Sequence, residues 1–330
     1  MKVGIVGAGL IGSKRADAIS RIPGVELSLQ ADLDLGRASV CCAKYGGQPT
    51  CDWRDIVLSS DLDLVIIATQ HDAAVPIAIS ALEHGKHVLC EKPLGRNASE
   101  SLQIVQAAER AGKILKAGFN YRYYPHVKKA RSLVDEGYIG SLQYVKMVLG
   151  HAARPDYDKE WRVDAHAGGG GALLDPGIHL VDLSRYFLGN LNASSQALQN
   201  AYWKTPFEDN AFVLLTTPEG RTASLHASTT EWKNTFTIDL FGTDGYIKLQ
   251  GRCGFYGRPK ISYNKRWAWL NENDNVEKTE EYPDQDDSFF EETIEFIDAV
   301  RTNRQPNGSG YDALEAAKII DLVYSTRTIH

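Results

Sequence analysis

Residues 2–12 read Lys-Val-Gly-Ile-Val-Gly-Ala-Gly-Leu-Ile-Gly, and this stretch decides the fold of the first part of the chain. An apolar strand runs directly into a G-x-G-x-x-G turn, a spacing that is typical of dinucleotide binding when a helix follows. Gly7 permits the tight turn, Gly9 lets the backbone approach a pyrophosphate, and Gly12 lets the helix pack closely on the strand. A tight strand-to-helix turn that binds no ligand is the alternative interpretation.

Asp32 favours the ligand-binding interpretation, because it ends the next predicted strand at the usual separation of about 20 residues from the glycine motif. Its carboxylate is expected to accept hydrogen bonds from both hydroxyls of the adenosine ribose, with the pyrophosphate on the helix N-terminus at Leu10 and Ile11. A carboxylate here repels the 2′-phosphate of NADP, and Leu33 places no cation directly beside it. Arg37, one helical turn on, partly offsets that repulsion. The sequence therefore predicts NAD as the cofactor and favours it over NADP.

The first part of the chain alternates short apolar runs with stretches of helical length. The predicted strands are 2–6, 25–31, 62–68, 86–90 and 114–117, and the predicted helices are 10–21, 35–45, 73–84 and 99–111. Near-continuous apolar strands joined by helices indicate a parallel sheet that is covered on both faces. The predicted fold class is therefore α/β, with a doubly wound, Rossmann-type domain at residues 1–120 and a second domain at residues 121–330.

The second part of the chain has a different pattern. A helix is predicted at 124–136, followed by β-rich runs at 142–150, 195–203, 210–217, 222–230 and 236–241. Turn pairs at 219–220 and 244–245 are typical of antiparallel hairpins. Two helices close the chain, and their apolar stripes are Phe290, Ile294 and Ile297, then Ala313, Ala317, Ile320 and Tyr324. Because few helices remain to cover so many strands, we expect an open sheet face that pairs with another subunit.

Composition excludes several classes of protein. Apolar residues make up 43% of the chain, and 36 Lys and Arg against 42 Asp and Glu give a net charge of −6. Such a chain is a poor candidate for nucleic-acid binding, and its longest apolar run, 64–68, is too short to span a bilayer. Five cysteines without Cys-x-x-Cys or zinc spacing indicate reduced thiols and no metal site. We expect a cytoplasmic protein that binds neither membrane nor nucleic acid.

Lys92 is the first candidate catalytic residue. It stands in Glu91-Lys92-Pro93, directly after the predicted strand 86–90. Open α/β sheets bind their ligands at the carboxyl ends of the strands. We therefore expect Lys92 in an active site, although a solvated surface lysine is the alternative.

His179 is the second candidate. Residues 168–182 read Gly-Gly-Gly-Gly-Ala-Leu-Leu-Asp-Pro-Gly-Ile-His-Leu-Val-Asp. If Pro176 begins a helix, Asp175 caps it, and His179 follows one turn along the same face with Asp182 beyond. An orienting carboxylate and a general base fit this pattern, whereas a buried core histidine is the alternative. The four glycines allow backbone to crowd against a ligand, which favours catalysis.

Together with the glycine turn, the segments Ala68-Thr69, 90–94 and 170–182 resemble the Gfo/Idh/MocA oxidoreductases. This family includes glucose-fructose oxidoreductase, inositol dehydrogenases and several nucleotide-sugar dehydrogenases, and the resemblance is specific from residue 1 to about 190. It implies a Rossmann domain followed by an α/β domain with a large, mostly antiparallel sheet. Family members often form oligomers through that sheet, so a homodimer or homotetramer is expected.

The resemblance also implies roles for single residues. Lys92 and His179 match the catalytic lysine and histidine of the family, and Asp175 matches the carboxylate that precedes the histidine. The pair Trp161-Arg162 resembles a pair that approaches the cofactor, and Asn120 resembles a polar residue near the nicotinamide.

The loop after the predicted strand 62–68 departs from the family pattern. Thr69 and Glu91 lie in segments that match cofactor-binding positions. Where many members continue with Pro-Asn and a histidine three residues later, this chain has Gln70-His71 and then Ala74. His71 either replaces the missing histidine at the cofactor or is an exposed loop residue.

The sequence thus predicts an NAD-dependent oxidoreductase that acts on a secondary hydroxyl of a sugar, cyclitol or nucleotide-linked sugar. His179 would take the hydroxyl proton, Lys92 would stabilise charge on the same oxygen, and Asp175 would orient the substrate or the histidine. The polar, aromatic segment 151–166 suits a polyol, or is a solvated interdomain loop. Three rivals stay open: a hydrolase or lyase that recycles its NAD within each turnover, a non-catalytic dinucleotide-sensing regulator, and a structural subunit.

Overall fold

The computed structural model describes residues 1–266 and 276–326, which divide into two units. The first unit comprises Met1–Asn120, Ala165–Gly169 and Asp287–Lys318. The second comprises Tyr121–Asp164, Gly170–Asp286 and the chain from Ile319 onward.

Strands and helices alternate along the first 120 residues. The strands are β1 (Lys2–Val6), β2 (Glu26–Ala31), β3 (Gln48–Thr50), β4 (Leu64–Ile67), β5 (His87–Glu91) and β6 (Leu115–Gly118). The helices are α1 (Leu10–Ser20), α2 (Leu35–Tyr45), α3 (Arg54–Val57), α4 (His71–Glu83) and α5 (Ala98–Ala111). All five predicted strands and all four predicted helices are present, whereas β3 and α3 were not predicted.

These six strands form one parallel sheet in the order β3-β2-β1-β4-β5-β6. This is the strand order of the doubly wound dinucleotide-binding fold, so the predicted fold class of the first part is confirmed. The central strand β4, Leu-Val-Ile-Ile, is buried along its whole length. A strand covered on both faces needs apolar residues at every position, and this requirement explains the continuous apolar runs in the sequence.

Between residues 121 and 326, the described part of the chain forms one large sheet and four longer helices. The helices are α6 (Pro125–Asp135), α7 (Ile178–Leu188), α8 (Ser288–Thr302) and α9 (Gly310–Ser325). The strands are β7 (Leu142–Gly150), β8 (Asn192–Gln199), β9 (Asn210–Thr216), β10 (Thr222–Ser228), β11 (Thr235–Gly242), β12 (Gly245–Gln250), β13 (Lys260–Lys265) and β14 (Lys278–Glu281).

The second sheet has eight strands in the order β14-β13-β12-β11-β7-β10-β9-β8. Only the pairing of β7 with β10 is parallel, so the expected mostly antiparallel sheet is confirmed. The predicted strand 195–203 was placed too far along the chain. It ends at 199, because the Asp209 carboxylate accepts hydrogen bonds from the backbone N–H groups of residues 201–203 and holds them in a turn.

The apolar face of α8 also differs from its prediction. Ile294 is 40% exposed, and the buried positions include Phe289, Phe296 and Ile297. Phe296 and Ile297 belong to the core cluster of the first unit together with Ile19 of α1. A late segment of the chain therefore completes the core around β1. No helix within 1–266 and 276–326 is long and apolar enough to cross a membrane.

Candidate functional site

The glycine turn has the geometry that close backbone approach requires. Gly7 adopts a φ of +97°, and a Cβ atom there would lie 2.4 Å from the carbonyl oxygen of Ala68. A Cβ atom on Gly12 would lie 1.7 Å from the carbonyl oxygen of Gly7. At Gly9, by contrast, nothing lies within 4 Å of the place a Cβ would take, so that face of the turn is open to a ligand.

The N-terminus of α1 is built to receive an anion. Gly9 is its N-cap and supplies no side chain, and the first turn, which contains Leu10 and Ile11, has no acidic residue. The N–H groups of this turn and the helix dipole favour a negatively charged ligand. The turn thus fits the pyrophosphate of a dinucleotide.

Asp32 fastens the glycine turn to the end of β2. One carboxylate oxygen accepts a hydrogen bond from the backbone N–H of Ala8 at 2.9 Å, and the other accepts one from Asp34 at 3.0 Å. The half-exposed Arg37 lies 3.4 Å from the same carboxylate. Asp32 thus lies beside the glycine turn, and Arg37 supplies a cation that partly compensates its charge.

His71 is a buried helix residue, which overturns the exposed-loop alternative. It begins α4, it is 5% exposed, and its Nδ1 lies 2.8 Å from the carbonyl oxygen of Gly168. The neighbouring Thr69 is partly exposed, and its hydroxyl donates to the carbonyl oxygen of Gln70. The ring of His71 is therefore fixed in place by the glycine-rich segment.

Glu91 ends β5 and forms an ion pair with Arg15, a residue that the sequence analysis did not assign to the site. The fully buried Arg15 of α1 donates through Nε to Glu91 at 2.7 Å and through Nη2 to Glu292 of α8 at 2.6 Å. Burial raises the pKa of Glu292, and the cations Arg15 and Lys116 oppose that rise. Lys92 follows Glu91 directly, and the Lys92–Pro93 peptide bond is cis. Arg15 and Glu292 therefore fix the strand end that carries Lys92.

Asn120 is the last residue of the first unit's opening segment and is buried. Its side-chain amide donates to the hydroxyl of Ser288 at 2.8 Å. Ser288 begins α8, so this helix braces Asn120 as well as Glu91.

The helix that carries His179 begins later than predicted. Gly177 is the N-cap of α7, and residues 172–177 form turns before it. Pro176 therefore does not begin the helix, and Asp175 does not cap it. The physical reason is that Asp175 and Gly177 donate their N–H groups backwards, to the carbonyl oxygens of Gly171 and Ala172, in tight turns.

His179 lies in the first turn of α7 and is 5% exposed. Its imidazole stacks on the ring of Tyr121, with centroids 3.7 Å apart and planes within 2° of parallel. Asp182, the other acid on this helix, is bound by both Nε and Nη2 of Arg122, at 2.9 and 2.6 Å. Sequence reasoning missed Tyr121 and Arg122, although they directly follow Asn120.

Arg162 connects Asp175 to the polar segment 151–166. Its Nε lies 3.3 Å from Asp175, and its Nη1 lies 3.0 Å from Glu160, which also pairs with Arg154. The guanidinium of Arg162 lies 4.7 Å from the ring centroid of Trp161. Asp175 and Arg162 are both partly exposed, so each can form a hydrogen bond to a polar ligand in place of its bond to the other.

The structure thus places the predicted residues in two groups. The first unit holds Gly7, Gly9, Leu10, Ile11, Gly12, Asp32, Arg37, Thr69, His71, Glu91, Lys92 and Asn120. The second unit holds Trp161, Arg162, Asp175 and His179. In the described ranges, no three His, Cys, Asp or Glu side chains are grouped so that they could hold a metal ion.

Two family models match successive parts of the chain. The family model described as an oxidoreductase family with an NAD-binding Rossmann fold matches residues 1–119, and the GFO/IDH/MocA C-terminal domain matches residues 127–248. YrbE, an uncharacterized oxidoreductase of Bacillus subtilis strain 168, is 28% identical over 324 residues, which are 96% of this chain and 91% of YrbE. Levoglucosan dehydrogenase of Pseudarthrobacter phenanthrenivorans is 30% identical over 233 residues, 67% of this chain and 59% of that enzyme.

Solved structures that share the fold include a dehydrogenase and a ketoreductase. Levoglucosan dehydrogenase in complex with NADH and levoglucosan matches with a TM-score of 0.88 at 23% identity, covering 99% of this chain and 96% of that one. KijD10, a 3-ketoreductase from Actinomadura kijaniata in complex with NADP and TDP-benzene, matches with a TM-score of 0.85 at 23% identity, covering 100% and 98%.

Proposed function

The chain belongs to the Gfo/Idh/MocA family and is an NAD(P)-binding oxidoreductase, and on this premise we propose that it oxidises a secondary hydroxyl of a sugar, cyclitol or nucleotide-linked sugar, or catalyses the reverse. The observation that carries the substrate class is the group Asp175, Arg162 and Glu160 beside the helix of His179. Such alternating charged groups bind hydroxyls through hydrogen bonds, and Trp161 offers an apolar face to a sugar ring. Levoglucosan dehydrogenase and inositol 2-dehydrogenase, both relatives by sequence, are named for substrates of this class.

The proposed cofactor is NAD rather than NADP. The fit rests on the open face at Gly9, the uncapped N-terminus of α1 and the carboxylate of Asp32. Thr69, His71, Glu91, Asn120, Trp161 and Arg162 are proposed as further residues on the cofactor side of the site. The bound nicotinamide supplies a carbon that accepts or releases a hydride.

In the proposed mechanism, three side chains handle the proton and the charge. Oxidation breaks the C–H bond of the carbinol, whose electron pair leaves as hydride, and the O–H proton passes to the imidazole of His179 as the carbonyl forms. An imidazole suits this task because its usual pKa lies near 6.5. The ammonium of Lys92 stabilises the negative charge that develops on the reacting oxygen. Asp175, held by Arg162, orients the substrate hydroxyls.

Net formation of NADH tests this function. The purified protein is incubated with NAD and, in separate reactions, with myo-inositol, levoglucosan, glucose and nucleotide-linked hexoses, and absorbance at the NADH band is followed. We expect a sustained, stoichiometric rise with at least one compound, and a rate at least about 100-fold lower with His179→Ala. Consumption of a substrate without net NADH would support internal recycling of the cofactor instead. Tight NAD binding with no turnover of any compound would support a regulator.

We also propose a homodimer or homotetramer built on the second sheet. On the face of this sheet opposite α7, Tyr144 stacks on Phe241 at 4.7 Å and Phe212 stacks on His226 at 4.1 Å. Tyr144, Phe212 and Leu214 are each about two-fifths exposed. A sheet face rich in partly exposed aromatic side chains is favourable to bury against a second copy.

A further inference from the structure

His179 is one member of a stack of three side chains in the second unit. Its imidazole lies 3.7 Å from the ring of Tyr121, and the guanidinium of Arg252 lies 5.0 Å from the centroid of the same ring. The same guanidinium lies 3.7 Å from the ring centroid of Tyr256, and its Nη1 lies 3.4 Å from the hydroxyl oxygen of Tyr124. Arg252 is thus enclosed by three phenol rings.

Arg252 has no carboxylate partner in the parts of the chain that the structure describes, 1–266 and 276–326. Its Nε–H group is buried and donates no hydrogen bond within those ranges. Burial lowers the pKa of Arg252, and the three tyrosines Tyr121, Tyr124 and Tyr256 raise it. A guanidinium stays ionised in such surroundings because its intrinsic pKa is so high. The stack therefore contains a permanent positive charge that no acid neutralises.

The carboxylates on α7 and in the turn before it are each bound by an arginine. Asp182 is bound by both nitrogens of Arg122, and Asp175 pairs with Arg162. Asp286 also acts on the pKa of Tyr121, more weakly than Arg252 does. Lys92, which the proposed mechanism places on the same oxygen as His179, is a further cation that stays unchanged in the variants described below.

The two strands under α7 contact it through apolar side chains. Met147 of β7 contacts Ser184, and Ala227 of β10 lies against Gly177. The N-terminal end of α7 adds the positive end of the helix dipole near His179.

We infer that Arg252, acting through the ring of Tyr121, is a positioning residue that keeps His179 in its neutral, proton-accepting form. The reason is electrostatic: the guanidinium lies no farther from the imidazole than the sum of 3.7 and 5.0 Å, and a fixed cation at that distance disfavours a second cation on the imidazole. The stack also holds the imidazole plane parallel to the ring of Tyr121. The inference rests on the proposed role of His179 as the base, and it adds the residue that tunes that base.

The expected size of the effect follows from the geometry. At an effective dielectric constant of about 20, a unit charge at this greatest possible separation shifts the pKa of an imidazole by about one unit. Removal of the Arg252 charge should therefore raise the pKa of His179 by about one unit. In the oxidation reaction, the acidic limb of the pH profile should move to higher pH by the same amount.

The test measures the pKa of His179 directly. The full chain is labelled with [13Cε1]histidine, its NMR spectrum is recorded from pH 4.5 to 9, and the His179 signal is identified by its loss in His179→Gln. Arg252→Met and Arg252→Gln remove the charge, Arg252→Lys keeps it, and Tyr121→Phe keeps the ring without its hydroxyl. Circular dichroism and the thermal midpoint select the variants that fold as the wild type does.

We expect the pKa of His179 to rise by about one unit in whichever neutral variant folds, and to stay within a few tenths in Arg252→Lys and Tyr121→Phe. An unchanged pKa in a folded neutral variant overturns the inference, as does an equal rise in Arg252→Lys, which would indicate loss of packing rather than of charge. If neither neutral variant folds, the inference is overturned when the pKa of His179 in Arg252→Lys differs from the wild-type value by more than half a unit. Because the titration needs no substrate, it is independent of the proposed function, which fails separately if His179→Gln keeps full activity.

Discussion

Replacement of Arg15 by Met is expected to destabilise the first unit strongly. Arg15 is fully buried and bridges Glu91 and Glu292, two acids that lie 2.6–2.7 Å from its nitrogens. Methionine keeps much of the length of the side chain but removes the charge. Two carboxylates would then remain at a site where only Lys116, 4.0 Å from Glu292, offers compensation.

The magnitude follows from the geometry of these pairs. At an effective dielectric constant of about 20, a pair of opposite charges at this separation attracts by about 6 kcal/mol, and desolvation of the ions cancels much of that. Breaking a buried pair from one side typically costs about 3–5 kcal/mol, because the remaining charge is left uncompensated. For a unit of this size, that corresponds to a fall in Tm of roughly 6–20 °C.

Thermal unfolding followed by circular dichroism measures this loss, and Arg21→Met is the matched control. Arg21 pairs with Asp287 at 2.9 Å in the same unit, but both side chains are 39% exposed, so the pair contributes at most about 1 kcal/mol. The double variant Arg15→Met/Glu292→Gln should recover part of the lost Tm. Equal Tm values for Arg15→Met and Arg21→Met would refute the reasoning.

The loss should also depend on pH in a defined direction. Burial already raises the pKa of Glu292 above its unfolded value, and removal of Arg15 raises it further. A carboxyl group whose pKa is higher in the folded state binds more protons there, so its contribution to stability is present at low pH and is lost as pH rises through the folded pKa. Arg15→Met should therefore be more destabilised relative to wild type at pH 8 than at pH 5.

Three further outcomes are expected. Calorimetry should give at least about tenfold tighter binding of NAD than of NADP, a difference of about 1.4 kcal/mol in binding free energy. Asp32→Ser should reduce this difference between the two cofactors. Equal dissociation constants for NAD and NADP in the wild type would contradict the prediction. His179→Ala should lower kcat by roughly 10²–10⁴-fold and remove the acidic limb of the oxidative pH profile, whereas Lys92→Ala should cost about 10²–10³-fold and keep that limb. The opposite pattern would exchange the two roles. Light scattering at micromolar concentration should give at least a dimer mass that Phe212→Lys lowers, and a monomeric wild type would rule out the proposed interface.

The first sheet was predictable because each of its central strands is covered on both faces. Strand β4 needs four consecutive apolar residues, and such a run stands out in any sequence. Strands β12–β14 were missed for the opposite reason. Segments such as Lys260–Lys265 carry polar residues at alternate positions, and their strand conformation depends on pairing with neighbours that are distant in sequence.

The same contrast separates the parts of the candidate site. The glycine turn is local, since Gly7 and Gly12 meet within a single turn and their spacing is legible in the chain. The pairs Tyr121–His179 and Arg15–Glu292 join residues that are far apart in sequence, and no spacing rule encodes them. The start of α7 was misplaced because proline at position 176 suits a tight turn as well as a first helical position.

The late position of α8 in the chain has a consequence for biosynthesis. Phe296 and Glu292, which complete the core and the ion network of the first unit, leave the ribosome only after residues 121–286 have been made. At the usual rate of about 5–20 residues per second, the nascent dinucleotide domain waits roughly 10–30 seconds for them. During that interval Arg15 lacks one of its two acids, and the apolar surface around Ile19 lacks the cover that Phe296 and Ile297 give it in the complete chain.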